Sequence, residues 1–417
     1  MNTLATSITK KPDNQNNQLA ILHLPVSYSK TSLEEKVTLL LTQDLIRIGW
    51  RLKTHTNQSF ELAAPPIYSK EVVRQAMAYS RNELLEQNWT WIQDHIDLAR
   101  SNLARGSEVL KSKIIPRIEV CETKEQNSLF RFFRYYWSSP SSDYVGRRMR
   151  LLIRDDGLEG SPIIGIAAIG SSIIHISERD TWIGWDIKTR TKNLINIMDA
   201  YVVGALPPYN ELLGGKLMAY VLASNELRSL YKKKYAKKVT IIKKRKGSDL
   251  VLLSTTSLYG SNSSQYGRIK FGKSLLYKPI GLTSGYGSLH ISKGTFEAMR
   301  ELVAVNGWDI SNKFGMGPNW RMRIIRSACD ILKLDSDVIL QHSFKRGLFV
   351  VPLATNYKSF LNDKSKKPIY RNLPLSKLTK YWQNRWLSMR KKNPEIIKKV
   401  KNFLPENFNI EKTIISE

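Results

Sequence analysis

Two adjacent glycines, Gly214 and Gly215, stand where an apolar strand pattern ends and a helical pattern begins, within the segment PPYNELLGGKL. The first turn of a helix offers unpaired amides and the positive end of the helix dipole, so such a loop can hold the pyrophosphate of a cofactor. Glycine at the same place also lets a helix start pack closely on a sheet. The segment alone leaves both interpretations open.

A basic segment follows between Glu226 and Asp249, with ten Lys or Arg residues and no acidic residue. Tyr231 and Tyr235 stand among the lysines, and cations interleaved with aromatic rings suit phosphate contacts and base stacking. The alternative is a solvated helix end, where lysines favour the helix dipole. Because ten charges exceed what capping needs, we favour nucleic acid. The predicted contact residues are Lys232, Lys233, Lys234, Lys237, Lys238, Lys243, Lys244 and Arg245.

A second basic stretch closes the chain, in LSKLTKYWQNRWLSMRKK. Leu378, Trp382, Trp386 and Met389 recur near helical spacing and predict an apolar stripe that packs on the core. The cations around that stripe predict an exposed face that contacts DNA, with a purely structural helix as the alternative. The predicted contact residues here are Lys377, Lys380, Arg390, Lys391 and Lys392.

Acidic residues gather in the segment SERDTWIGWD, where Glu178, Asp180 and Asp186 lie near His175. Their spacing matches no metal-ligand pattern, so no metal site is predicted. The sequence has no Walker A motif, no G-x-S-x-G elbow and no Cys/His nucleophile arrangement. This weighs against an ATPase or a hydrolase of those classes.

Charge dominates the composition. The 417 residues include 65 Lys and Arg against 36 Asp and Glu, which gives a net charge of +29. Such an excess favours a polyanionic partner, which we interpret as DNA, over an acidic protein or an anionic cofactor. A polar N-terminus, two distant cysteines and the lack of a long apolar run predict a cytoplasmic protein without a membrane partner.

The patterning predicts an α+β protein in three regions. Residues 1–129 are predicted to be helical after a disordered lead-in over residues 1–20, with Ser32 and Glu35 forming a capping box. Residues 130–292 alternate strand and helix patterns and predict a mixed sheet. Residues 293–417 predict a basic, mainly helical region.

The order of elements from VVGALPPY through LLGGKLMAYVL and LVLLSTTSLYG to SSQYGRIKFG resembles the second half of a GNAT acetyltransferase domain. The resemblance implies acyl-CoA as cofactor, bound at Gly214 and Gly215, with Tyr266 as general acid; Glu178 and Asp199 are candidate bases by residue type alone. The family's loop reads Arg/Gln-x-x-Gly-x-Gly/Ala, and the matching positions here are Glu211, Gly214 and Lys216. A catalytically degenerate domain is therefore expected.

Longer segments resemble the Druantia anti-phage system protein A family, namely RDTWIGWD, IMDAYVVGALPPYNELLGGKLMAYVLAS, LLSTTSLYGSNSSQYGRIKF and PIGLTSGYGSLHIS. The resemblance implies a role in bacterial defence beside other defence proteins, including a helicase-like component. We therefore expect a nucleic-acid-binding defence component. The alternative is an acyl-CoA-dependent acyltransferase that acts on a macromolecule.

Overall fold

The computed structural model describes most of the chain. The described residues are 21–25, 32–55, 59–65, 70–137, 146–240, 244–258, 265–311, 318–341 and 344–411. The lead-in over residues 1–20 and the predicted contact residue Lys243 lie outside them.

Helices and strands alternate along the chain. The strands are β1 (Ile21–Pro25), β2 (Arg51–His55), β3 (Ser59–Ala63), β4 (Pro116–Val120), β5 (Arg148–Asp155), β6 (Ile163–Ser171), β7 (Ile197–Ala205), β8 (Leu252–Ser257), β9 (Lys270–Phe271), β10 (Ser274–Leu275), β11 (Lys278–Leu282) and β12 (Gly347–Pro352). The helices are α1 (Leu33–Arg47), α2 (Lys70–Gln87), α3 (Trp89–Asp94), α4 (Ile96–Arg100), α5 (Gly106–Lys111), α6 (Lys124–Arg134), α7 (Ser177–Ile183), α8 (Ile187–Asn193), α9 (Gly214–Leu222), α10 (Asn225–Tyr235), α11 (Lys293–Val305), α12 (Pro318–Ile331), α13 (Ser336–Leu340), α14 (Tyr357–Leu361), α15 (Leu375–Trp382), α16 (Ser388–Arg390) and α17 (Pro394–Lys401). The predicted α+β class is confirmed.

A seven-stranded mixed sheet, in the order β11-β12-β8-β7-β6-β5-β4, forms the centre of the fold. Strands β4 to β7 make an antiparallel meander, and β12 joins β8 to β11 by antiparallel pairing. Only β7 and β8 run parallel in this sheet, as the structure describes it. Parallel neighbours need a crossover connection, which α9 and α10 supply.

The ladder between β7 and β8 is short. It covers Ile197 to Asp199 on β7, and Asp199 pairs with Ser254 on β8. Beyond this point β7 pairs with β6 alone and β8 pairs with β12. The two strands therefore separate toward the C-terminal end of β7, where the chain leads into α9.

Both faces of the inner strands of the sheet are buried, and successive side chains of a strand join opposite faces. Leu253 and Phe349 pack with residues of α9, α10 and α15 on one side, which we call the α9 face. Leu252 and Val350 pack with Ile183 of α7 on the other side, which we call the α7 face.

The N-terminal region differs from its prediction as a helical segment. It contains a three-stranded antiparallel sheet of order β1-β3-β2. The signal that could have predicted a strand was the spacing of two between apolar residues, as for Leu22 and Leu24, which are both buried on β1. Strands this short were missed because the strong helical pattern of α1 lies between them. The predicted capping box of α1 is confirmed, with the Glu35 amide 3.2 Å from Ser32 Oγ.

Helices α1, α11 and α12 share one hydrophobic core with the N-terminal sheet. Leu41 of α1, Met299 of α11 and Ile325 of α12 are all fully buried in it. Residues far apart in sequence therefore stabilise each other at this end of the molecule.

Candidate nucleic-acid interface

Helix α10 positions the first basic surface. Its N-cap residue Ser224 accepts the amide of Leu227 at 3.2 Å. Leu227, Tyr231 and Tyr235 recur every four residues and are buried, so one stripe of α10 is fixed on the α9 face. The lysines of its last turn occupy the other positions.

The two tyrosines of α10 serve the core. Tyr231 and Tyr235 are 0% and 5% exposed. The Tyr231 hydroxyl accepts from Arg147 at 2.9 Å, and the Tyr235 hydroxyl accepts from the Arg148 amide at 2.9 Å. Burial raises the pKa of Tyr235 to about 12. The prediction that these rings stack on bases is wrong, because helical spacing turned them toward the sheet.

The cations of the segment divide into exposed and anchored residues. The exposed ones are Lys232, Lys233, Lys237, Lys238 and Lys244. Lys234 is half-buried, and burial followed by the charge of Lys238 lowers its pKa. Arg245 donates to the carbonyls of Thr191 and Lys192, so it holds the loop against α8.

The second basic stretch, which begins with α15 and continues past α16, also divides into exposed and anchored cations. Lys377, Lys380 and Lys392 are exposed. Arg390 donates to the Glu211 carbonyl at 2.8 Å, and Lys391 donates to the Leu110 carbonyl at 3.1 Å. These two predicted contact residues therefore fasten the helix to the body of the protein.

Helix α15 runs beside α9 and links the starts of α9 and α10. The Leu375 amide, at one end of α15, donates to Glu226 of α10 at 2.9 Å. The Trp382 indole, at the other end, donates to the Leu213 carbonyl before α9 at 3.2 Å. The predicted apolar stripe is confirmed for Leu378 and Trp382, while Trp386 is half-buried and Met389 is 63% exposed.

The glycines at the start of α9 have different surroundings. A Cβ on Gly214 would lie 2.6 Å from the Tyr209 carbonyl oxygen and 2.8 Å from the Ala205 Cβ. The Gly214 amide itself donates to that Tyr209 carbonyl at 2.9 Å. A Cβ on Gly215 would meet only the side chain of Gln265, at 2.8 Å. Close packing therefore accounts for Gly214, as one of the two interpretations held.

Lys216 is a residue that the sequence did not single out as a contact. It is 8% exposed, on the first turn of α9. Its ammonium lies 4.3 Å from the ring centroid of Trp386, and Arg385 lies 5.0 Å from the same centroid. Burial, then Arg268 and Arg385, lower the pKa of Lys216. Only the absence of a small residue at this position of the glycine loop hinted at it.

Tyr266 and Glu178, the two predicted catalytic residues, lie on opposite faces of the sheet. Tyr266 is 7% exposed in the core of the α9 face, and burial raises its pKa although Thr255 and Gln265 hydrogen bond to it. Glu178 is half-buried on α7, beside Gly281 of β11. The structure does not bring these two side chains together.

The acidic segment forms a buried polar network on the α7 face. Arg179, which is 0% exposed, donates to Asp180 at 2.7 Å and to Ser172 at 2.6 Å. Ser172 and Ser254 both donate to Asp199. Burial raises the pKa of Asp199 against these hydrogen bonds. The network joins α7 to the point where β7 and β8 part.

Neither a metal site nor a membrane segment is found in the described part of the chain. No group of three or more His, Cys, Asp or Glu side chains there is placed to hold a metal ion. None of the helices described has the length and apolar character needed to cross a membrane.

The fold and the surfaces above define an α+β protein with a mixed seven-stranded sheet. The family model described as Druantia protein DruA matches residues 68–363. A curated Druantia protein DruA of Escherichia coli (strain UMEA 4076-1) is 36% identical over 336 residues, which cover 79% of this chain and 82% of that protein. No solved structure matches the chain significantly. The chain belongs to the Druantia protein DruA family.

Proposed function

We propose that this chain is the nucleic-acid-binding component of a Druantia anti-phage defence system, acting beside other defence proteins that include a helicase-like component. One observation carries the proposal. Four exposed lysines lie in the last turn of α10 or directly after it, and none makes an ion pair with a described residue; they are Lys232, Lys233, Lys237 and Lys238. Capping a helix of this length requires far fewer cations.

The mode of binding follows from the burial of the tyrosines. With Tyr231 and Tyr235 in the core, α10 offers ammonium groups but no ring for a base. Lysines that contact phosphates fix a protein on nucleic acid without reading its sequence. We therefore expect salt-dependent binding to double-stranded DNA with little sequence preference.

We further propose that the sheet is a GNAT-like fold that has lost acyl transfer. The order strand, crossover helix, strand and the parallel pair of β7 and β8 support the likeness. Close packing at Gly214, the Lys216 side chain in the loop, and the separation of Tyr266 from Glu178 support the loss of catalysis.

An acyltransferase is the alternative, and one contact favours it. Gln265 touches the position of Gly215 and hydrogen bonds to Tyr266, so the loop glycine and the predicted acid share one face of the sheet. In this alternative acyl-CoA would be the cofactor, held at Gly214 and Gly215.

The test compares two triple variants by fluorescence anisotropy with labelled duplex over a range of salt concentrations. K232E/K233E/K237E removes three exposed lysines from the end of α10. The control K398E/K399E/K401E makes the same change on α17, whose last turn also carries three exposed lysines. Each lost phosphate contact lowers the slope of log K against log salt by about 0.9. We expect a slope smaller by up to about 2.7 for the α10 variant and an unchanged slope for the control.

Two outcomes would contradict the proposal. Equal losses in the two variants would indicate a general charge effect, and no loss in either would remove α10 from the interface.

Thermal unfolding with acetyl-CoA tests the alternative, since a ligand at about 100 times its Kd adds roughly 2.7 kcal/mol of stability. Stabilisation by acetyl-CoA without duplex binding would favour the acyltransferase.

A further inference from the structure

Lys216 is a buried cation without a counter-charge. Its side chain makes no hydrogen bond or ion pair with any described residue, and no carboxylate contributes to its pKa shift. Instead two more cations lie near it. Arg385 is 5.0 Å from the Trp386 ring centroid that Lys216 also contacts, and Arg268 follows Gln265, whose side chain meets the position of Gly215. Both arginines lower the pKa of Lys216. Lysines are almost never buried unless paired, because desolvation of an ammonium is costly. The ring of Trp386 offers only a partial substitute for an anion.

The local backbone adds to the positive potential. Lys216 stands on the first turn of α9, where the helix dipole is positive. Yet the Gly214 amide donates to the Tyr209 carbonyl at 2.9 Å, and the Lys216 amide donates to the Leu213 carbonyl at 3.0 Å. Two amides of this helix start are therefore occupied, which leaves the side chains as the main donors to an anion here.

We propose that Lys216, Arg268 and Arg385 form a binding site for one phosphate group of a nucleic-acid backbone. A phosphate offers several acceptor oxygens, which three converging donors can share, and guanidinium groups bind such oxygens in pairs. Arg268 and Arg385 are exposed, so they can close on an incoming phosphate above the Lys216 ammonium, which is the part of this buried side chain that reaches solvent. This inference rests on the proposed function and adds a second contact point to it.

The position of the site suits a duplex that also reaches α10. The end of α10 lies beside Arg148 at the start of β5, whereas Gly214 lies against Ala205 at the end of β7. Because β5 and β7 both pair antiparallel with β6, they run in the same direction. The start of β5 and the end of β7 therefore lie at opposite ends of the strands. By the strand register, Arg148 lies across from Asp199, six residues before Ala205, so the two positions are about 20 Å apart along the strands, within the roughly 34 Å of one turn of a DNA duplex. The exposed Lys377 and Lys380 of α15 lie between the two sites.

The test measures the salt slope of binding to a duplex of about 20 base pairs, roughly 68 Å long. K216M keeps the length of the side chain and removes the charge. We expect its slope to fall by about 0.9, which is one phosphate contact. Adding R268M and R385M to K216M should cause little further fall, because the three residues serve one phosphate. The control K188M removes one exposed lysine from α8, on the α7 face, and should leave the slope unchanged.

An unchanged slope in K216M would overturn the inference, and so would a further fall of about 0.9 for each added substitution, which indicates three separate contacts. If the α10 variant weakens binding while K216M does not, this inference fails and the proposed function stands. If the unmodified protein binds no duplex, both fail. If inorganic pyrophosphate raises the Tm of the unmodified protein but not of K216M, without duplex binding, the nucleic-acid assignment is overturned in favour of a small phosphate compound.

Discussion

Two buried cations flank the same sheet and differ in their partners. Arg179, on the α7 face, is 0% exposed and bound to the Asp180 carboxylate. Lys216, on the α9 face, is 8% exposed and has other cations for neighbours. A buried charge with its counter-charge inside the chain is accounted for by the fold. A buried charge without one requires an anion from outside, so the missing partner, and not burial itself, marks the binding site.

The partners of Arg179 are numerous enough to make it structural. Its guanidinium also donates to the Ile173 carbonyl at 2.8 Å, and Asp180 in turn receives Arg190 at 2.9 Å and the Trp185 indole at 3.1 Å. Every N–H group of the Arg179 guanidinium therefore meets an acceptor, which is the condition under which a buried cation is stable.

The largest expected loss of stability comes from breaking the ion pair of Arg179 and Asp180. D180N removes the carboxylate that binds Arg179 directly, and removal of one member of a buried pair costs about 3–5 kcal/mol. Urea unfolding followed by circular dichroism measures the loss. D186N is the matched control in the same segment, because Asp186 is the N-cap of α8 and asparagine caps almost as well. A loss below about 1 kcal/mol would mean that Asp180 is replaceable and the comparison fails.

The pair of Arg179 and Asp180 also makes the stability of the fold depend on pH. Burial pushes the pKa of Asp180 up, but Arg179 and hydrogen bonds from Arg190 and Trp185 hold it below its usual value. A depressed carboxyl pKa adds stability that is present above the unfolded value of about 3.9 and is lost as pH falls through the folded pKa. The difference between the unmodified protein and D180N should therefore shrink below about pH 4.

An intermediate effect separates the two glycines of the loop. G214A forces a Cβ to within 2.6 Å of a backbone oxygen that is fixed by its own hydrogen bond, so we expect a loss of about 1–3 kcal/mol. G215A meets only the end of a glutamine side chain, and alanine favours a helix by up to about 1 kcal/mol. Thermal unfolding of the two variants measures the contrast. A stable G214A would leave the packing interpretation without support.

The sequence predicted local elements better than the roles of the residues on them. The capping box at Ser32 and the strand that ends before Pro207 follow from local rules, and the structure contains both. The roles depend on which way each side chain turns. Tyr231 and Tyr235 have the composition of a stacking surface, but their spacing of four places both on the buried stripe.

The tyrosines had a local pattern that suggested a role, whereas Lys216 has no local pattern that would identify it as a binding residue. Its neighbours Arg268 and Arg385 come from distant segments, 52 and 169 residues further along the chain, and no local pattern joins them. Sheet pairing and the docking of α15 bring them together. The family resemblance reached Lys216 only as a departure from the glycine loop, and it did not reach Arg268 or Arg385.

The smallest effect is expected from K216M, and its sign is the informative part. Removing a buried charge that lacks a partner should stabilise the fold, by about 1 kcal/mol. Because the pKa of Lys216 is lowered in the folded state, that state binds fewer protons than the unfolded chain as pH nears 10, so stability rises with pH there. The advantage of K216M over the unmodified protein should therefore decline as pH rises toward about 10.4, the unperturbed lysine value. Parallel thermal unfolding of the two proteins at several alkaline pH values measures this trend. A destabilised K216M would mean that the fold itself neutralises the ammonium, and the contrast with Arg179 would then disappear.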